Sequence, residues 1–163
     1  MIALEPDKKR LKRIINNIQK IGFNNIKIYN QYAQDFKSKE KFDIVIVDAP
    51  CSGNLVGDRN WLEKRDLKGI LEKAAIQKEI LENITKLVKV NGTVIYSTCS
   101  LEVEEDEDNV KWFEDKYPQF KAYEPKIKFP FDTKPIKKQK SIRLLPFKSK
   151  TQGFFIACFE KIK

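Results

Sequence analysis

The sequence predicts an α/β protein with a Rossmann-like sheet, mostly parallel and closed by an antiparallel strand pair. Three observations carry this. Ile44-Val45-Ile46-Val47 and Thr93-Val94-Ile95-Tyr96 are uninterrupted apolar runs, the pattern of strands buried on both faces of a parallel sheet. Each run stops abruptly in a cysteine-bearing loop, Asp48-Ala49-Pro50-Cys51-Ser52-Gly53 and Ser97-Thr98-Cys99-Ser100. Strands alternate with segments of helical periodicity, which implies right-handed crossovers and a doubly wound sheet. In open α/β sheets, chemistry gathers at the carboxyl ends of the strands. Asp48, Cys51 and Cys99 are therefore expected at one rim, provided their strands are neighbours.

Residues 1–5 form a short apolar strand ending in Glu5. Pro6 and Asp7 open a helix, since proline fits the first turn and an acid suits the positive end of the dipole. Leu11, Ile14, Ile15 and Ile18 give it one apolar face, and Gly22 closes it in the left-handed position. Residues 25–29 are the next strand, with Asp35 in the loop beyond, and residues 42–47 are the third. Leu67, Ile70, Leu71, Ala74, Leu81, Ile84 and Val88 mark a long helix from 66 to about 90. Residues 92–98 are the fourth strand. Residues 104–117 form a further helix whose five opening acids, 104–108, sit where the dipole favours them. Residues 120–124 read as an edge strand. Residues 142–145 and 153–160 read as a closing pair across the turn 146–152. There are no internal repeats.

The chain has 163 residues, enough for one domain with a real core. Its 32 basic and 23 acidic side chains leave a formal charge of +9. Such an excess favours a polyanionic partner, most often nucleic acid, though a Lys/Glu-rich surface also suits growth at high temperature. No apolar run approaches the ~20 residues of a membrane span, and no signal peptide is expected. The three cysteines fit neither a disulfide framework nor a metal-binding CxxC pattern. The absence of histidine argues against zinc and excludes Ser-His-Asp and Cys-His mechanisms. The expectation is a reduced, cytoplasmic protein with no metal and no membrane.

Each candidate residue has a plainer reading beside the functional one. Glu5 ends a strand and begins a helix, where an acid accepts hydrogen bonds from ribose hydroxyls in dinucleotide-type folds; it also reads as an ordinary first-turn acid. Asp35 defaults to a surface loop. In the Asp48–Gly53 segment, proline and glycine preform the loop, and a buried strand-end Asp needs partners. Cys99 lies just ahead of a helix, whose N–H groups favour a thiolate. The acidic run 102–108 opposes that, so a nucleophilic Cys99 requires those acids to point away. The plainer reading is a buried structural cysteine, which also describes Cys158. Gln77, on an apolar helix face, is read as bracing a loop near the site. Residues 134–150 carry seven Lys/Arg, with Pro146 and Phe147 interleaved, a plausible phosphate-binding strip. Arg59 and Trp61 either contact a nucleotide or pack the loop down.

Taken together, Asp48-Ala49-Pro50-Cys51-Ser52-Gly53, Tyr96-Ser97-Thr98-Cys99-Ser100-Leu101 with Glu104-Glu105, Gln77 between them, and the closing Arg143-Leu144-Leu145-Pro146 and Gly153-Phe154-Phe155-Ile156-Ala157 resemble the RNA (cytosine-5)-methyltransferases. The resemblance covers nearly the whole chain. It implies a class I methyltransferase sheet, S-adenosyl-L-methionine as cofactor, and tRNA or rRNA as substrate. It also implies roles. Cys99 would attack C6 of the target cytosine, so that C5 takes the methyl group. Asp48 would meet the N3 side of the base and lie by the cofactor. Cys51 would assist release of Cys99. Glu5 would hold the cofactor ribose and Asp35 the adenine. The base would have to be single-stranded or flipped out.

The departures from the family pattern are specific. The family carries a further strand and a Gly-rich loop of the Asp-x-Cys-Ala-Ala-Pro-Gly-Gly type before the strand ending at Glu5, and an RNA-binding portion before that. The expectation is therefore a single truncated catalytic domain spanning 1–163, its sheet incomplete at the N-terminus. Its strands would close on each other, or a partner chain or a second copy would supply the missing strand. Cofactor binding by the chain alone is expected to be weak. Phe147 stands where a histidine often follows the proline, and Gln152 where an aspartate often precedes the glycine. A non-catalytic RNA-binding or scaffold relative is the alternative. A DNA cytosine methyltransferase is a distant third, since it leaves the Thr-Cys-Ser loop unexplained.

Overall fold

The structure is a computed structural model that describes residues 1–127, 136–138 and 140–163. It forms two compact units, Met1–Lys39 and Glu40–Lys163. In the first, β1 (Ile2–Leu4) and β2 (Lys27–Tyr29) pair in parallel, with Ile2 opposite Lys27 and Leu4 opposite Tyr29. Helix α1 (Lys8–Ile21) connects them. The Asp7 side chain accepts from the Arg10 N–H at 2.7 Å, and Gly22 closes the helix at φ 72. Gly22 closes the helix as predicted, while Asp7 is the residue that caps its start and Pro6 lies before the helix. A single 3-10 turn, Ala33–Asp35, follows β2.

The second unit contains β3 (Phe42–Asp48), α2 (Trp61–Lys64), α3 (Leu67–Ile84), β4 (Val88–Thr98), α4 (Glu107–Lys116), β5 (Phe120–Tyr123), β6 (Ile136–Lys138), β7 (Ser141–Leu144), α5 (Pro146–Ser149) and β8 (Phe154–Lys161). The sheet order is β3-β4-β8-β7-β6, with β5 also on β8. β3 and β4 run parallel, and every pairing beyond β4 is antiparallel. The sheet is thus mixed, and the closing pair appears as β7 and β8. The basic strip falls partly outside the described residues, at 134, 135 and 139.

Alternation along the strands sorts the side chains into two faces. Val47, Val94, Tyr96, Phe155, Ala157 and Phe159 are buried beneath α3 and α4. Phe113 of α4 packs edge-on to Phe159 at 4.8 Å between ring centroids, and also meets Phe120 of β5 at 5.1 Å. The opposite face is open along β3, where Ile44 and Ile46 are 60% and 68% exposed. The expectation that this run is buried on both faces is corrected here. Only one face of β3 is covered, and β3 ends the sheet.

Two boundaries also move. The long helix ends at Ile84, not near 90, because Thr85–Leu87 turn the chain and Val88 already pairs with Phe42. The β3–β4 register then shifts before Ile44 meets Thr93. A Cβ on Gly92 would come within 2.8 Å of the Lys89 carbonyl oxygen and 3.0 Å of that of Asp43. Only glycine fits that irregularity. Helix α4 begins at Glu107, after a turn through 103–106. No helix among the described residues is long and apolar enough to cross a membrane.

Candidate active site

Parallel pairing sets Val47 opposite Tyr96 and Asp48 opposite Ser97, and the Ala49 N–H extends the ladder to the Ser97 carbonyl at 2.9 Å. The two loops therefore leave the sheet side by side, with the Cys51 and Cys99 sulfurs 2.9 Å apart and both half-buried. Gly53, at φ 76, makes the tight turn its position predicts. Asn54 Nδ2 donates to the Cys99 carbonyl at 2.6 Å, and Trp61 Nε1 to the Ser52 carbonyl at 3.0 Å. Trp61 is 8% exposed, so it packs the loop down. Arg65 lies over its ring at 5.2 Å.

Beneath the loops sits a polar network centred on Glu105, which is fully buried. Its carboxylate accepts from the Ser52 N–H at 3.1 and 3.2 Å, from the Ser100 hydroxyl at 2.9 Å and from Gln77 Nε2 at 2.7 Å. Gln77 Nε2 also donates to the Pro50 carbonyl at 2.9 Å, the bracing its helix position predicts. The Tyr96 hydroxyl lies 3.0 Å from Gln77 Oε1, and Asn109 Nδ2 donates to that same oxygen at 2.7 Å. Glu105 thus touches both cysteine loops and α3 at once. In the sequence Glu104-Glu105 is part of the pattern that carries the resemblance, but nothing there distinguishes Glu105 as the acid that turns inward; Asn54 has no signal.

The neighbouring acids are engaged elsewhere. Glu102 accepts from Arg65 at 2.5 and 2.8 Å, and Glu107 pairs with Arg143. Asp106 accepts from the Thr98 hydroxyl at 2.6 Å and lies 2.9 Å from Arg143 Nη2. Burial pushes its carboxyl up to about 8. These three are engaged by other partners; burial first, then the charges of Asp48 and Glu105, raise the Cys99 pKa. The hydrogen bond from Cys51 outweighs this and holds Cys99 at about 7. The same contact, with burial, pushes the Cys51 thiol up. The pair is chemically polarised: Cys99 is poised as thiolate, Cys51 as the neutral donor.

Asp48 ends β3 exposed and without a side-chain partner among the described residues, which corrects the expectation that it is buried. Glu5 and Asp35 belong to the first unit. The Glu5 carboxylate accepts from the Asp7 N–H at 2.8 Å and pairs with Arg10 at 3.2 Å. The Asp35 side chain is exposed, and its carbonyl accepts from Gln31 Nε2 at 3.0 Å. Cys158 is buried in the sheet, as its apolar run predicts. A cavity of about 470 Å³ opens beside Cys99, with Asn54, Trp61, Arg65, Lys73 and Gln152 in its wall.

Residues 1–160 match the family described as 16S rRNA methyltransferase RsmB/F. The tRNA (cytosine(72)-C(5))-methyltransferase of Pyrococcus horikoshii is 34% identical over 164 residues, which is 100% of this chain and 41% of that protein. Ribosomal RNA small subunit methyltransferase F of an Enterobacter species is 30% identical over 166 residues, covering 99% of this chain and 35% of that one. The crystal structure of NSun6 from Pyrococcus horikoshii superposes with a TM-score of 0.84 and 36% identity, over 99% of this chain and 41% of that one. The chain thus spans less than half the length of these relatives.

Proposed function

The chain belongs to the 16S rRNA methyltransferase RsmB/F family, and from that premise we propose that it is the catalytic part of an RNA 5-methylcytosine methyltransferase acting on tRNA or rRNA. The observation that carries this is the pair of sulfurs 2.9 Å apart at the carboxyl ends of adjacent parallel strands. One small ring can touch both. The Cys99 thiolate forms a bond to C6 of an unstacked cytosine, and the electron pair of the C5–C6 bond makes C5 nucleophilic. Asp48, at the rim, meets the N3 side of the base and, by carrying a proton shared with N3, neutralises the negative charge that addition at C6 builds there. After C5 is methylated, its proton passes to water, the electron pair left behind re-forms the C5–C6 double bond, and the Cys99–C6 bond breaks with Cys99 leaving as thiolate. Cys51 assists that release by donating a hydrogen bond to the departing sulfur, which restores the resting pair.

The chain's acceptors suit S-adenosyl-L-methionine, a ligand of hydroxyl and amine donors. Glu5 ends a parallel strand with its carboxylate oriented by Asp7 and Arg10, and Asp35 and Asp48 present exposed carboxylates. Glu5 would hold the ribose, Asp35 the adenine, and Asp48 would lie by the cofactor. When bound, the cofactor supplies an electrophilic methyl group.

The chain acts as one catalytic domain, in the cytoplasm, where thiols stay reduced. Its open β3 edge takes a strand from a partner chain or a second copy; that β3 pairs only with β4 among the described residues supports this. RNA containing 5-fluorocytidine tests the chemistry, since it traps the covalent adduct. The adduct should form with the cofactor present and disappear in Cys99→Ala. Cys51→Ala should accumulate a stalled adduct on ordinary cytosine RNA. An adduct that survives Cys99→Ala would move the nucleophile to Cys51 and overturn these roles.

A further inference from the structure

Helix α5 is a single turn, with Pro146 at its start and Lys150 at φ 52 at its end. The Ser149 hydroxyl ties it down by donating to the Leu145 carbonyl at 2.7 Å. On this braced turn Phe147 is 77% exposed, although its neighbour Ser149 is buried. One exposed apolar side chain is ordinary on any surface; the position of this one is not. A Cβ built on Gly153 lies 3.0 Å from Pro146 Cγ and 3.4 Å from Asn54 Nδ2. That same Asn54 nitrogen donates to the Cys99 carbonyl. Gln152, between the turn and Gly153, stands in the wall of the cavity that Cys99 lines. Gly153 is thus closely packed between Pro146 of the α5 turn and the Asn54 that holds the nucleophile loop.

The surroundings have a consistent chemistry. Leu55 and Val56, just after Asn54, are 50% and 48% exposed. Lys148 and Lys150 follow Phe147 in the same turn, and Lys73 lines the cavity. None of the three has an ion pair among the described residues. A fixed aromatic face with unneutralised cations beside it matches a nucleotide, which offers a π-face and a phosphate.

We propose that Phe147 is a stacking platform for the unpaired RNA base next to the one presented to Cys99, with Lys148, Lys150 and Lys73 meeting the neighbouring phosphates. The proposal rests on the RNA reading above. A base drawn out of its stack leaves its neighbour with an uncovered face, and Phe147 covers it.

The test uses the 163-residue chain and a short single-stranded cytosine-containing RNA. Phe147→Ala should weaken binding about tenfold, whereas Phe147→Tyr and Phe147→Trp should retain it. The rate of Cys99 alkylation should be the same in Phe147→Ala, which separates lost stacking from a disturbed site. In Phe147→Trp the added indole emission should be quenched by RNA, over the wild-type baseline from Trp61 and Trp112. Equal binding by wild type and Phe147→Ala, or an unquenched indole at saturating RNA, would overturn the platform and leave the RNA reading standing. A wild-type chain that binds no RNA would overturn both.

Discussion

A thiol beside another thiol is an unusual way to stabilise a thiolate, and here it replaces the histidine that the chain lacks. Cys51 donates and Cys99 accepts, so one sulfur is made more acidic while the other is held protonated. The ordinary cysteine value is 9.0, and Cys99 is brought down to about 7. A lowered value means that the reactive anion is present from neutral pH upward. Alkylation of Cys99 should therefore rise through pH about 7 and level off above it. In Cys51→Ala the donated hydrogen bond is gone and the midpoint should move up. Rates of iodoacetamide labelling against pH, with peptide mapping, measure both. An unchanged midpoint in the variant would show that Cys51 does not set the Cys99 acidity.

At the level of elements, the separation of the sulfurs depends on how two loops are tied to two helices. Glu105, at the entrance to α4, accepts from the β3 loop, the β4 loop and α3 together. Removing it takes the acceptor from the Ser52 N–H, from the Ser100 hydroxyl and from one of the two N–H groups of Gln77 Nε2. Each such buried donor costs roughly 1–3 kcal/mol. Glu105→Ala should lose about 3 kcal/mol or more in urea unfolding. Glu105→Gln keeps the volume but sets an amide against other donors, so it should also be destabilised. It removes a charge that raises the Cys99 pKa as well, so its alkylation midpoint should fall. A variant as stable as the wild type would mean that the loops hold their geometry without this carboxylate.

On the scale of the whole molecule, the unfinished feature is β3. Among the described residues it pairs with β4 alone, and it carries two exposed isoleucines on one face. Exposed apolar strand edges recruit other strands. Light scattering should find the chain above its 19.1 kDa monomer mass at micromolar concentration. The double variant Ile44→Lys, Ile46→Lys should return it to the monomer. Since both side chains already face water, the variant should unfold within about 0.5 kcal/mol of the wild type. A wild type that stays monomeric at every concentration would remove self-association as the way the sheet is completed.

The residues by themselves determined the strands β3 and β4, the cysteine loops at their ends, the caps of α1, the closing pair β7–β8 and the bracing role of Gln77. In each, local chemistry and periodicity act within a few residues: apolar runs, a Pro and Gly around a cysteine, an amide on an apolar helix face. The end of α3 was illegible, since Val88 continues its helical spacing yet pairs with Phe42. The open face of β3 was illegible too, because a buried run and a half-covered one contain the same residues. Tertiary structure alone decided which acid is turned inward and that the sulfurs meet at 2.9 Å. Those outcomes follow from register between segments about 50 residues apart, and side-chain identity does not encode register at that range.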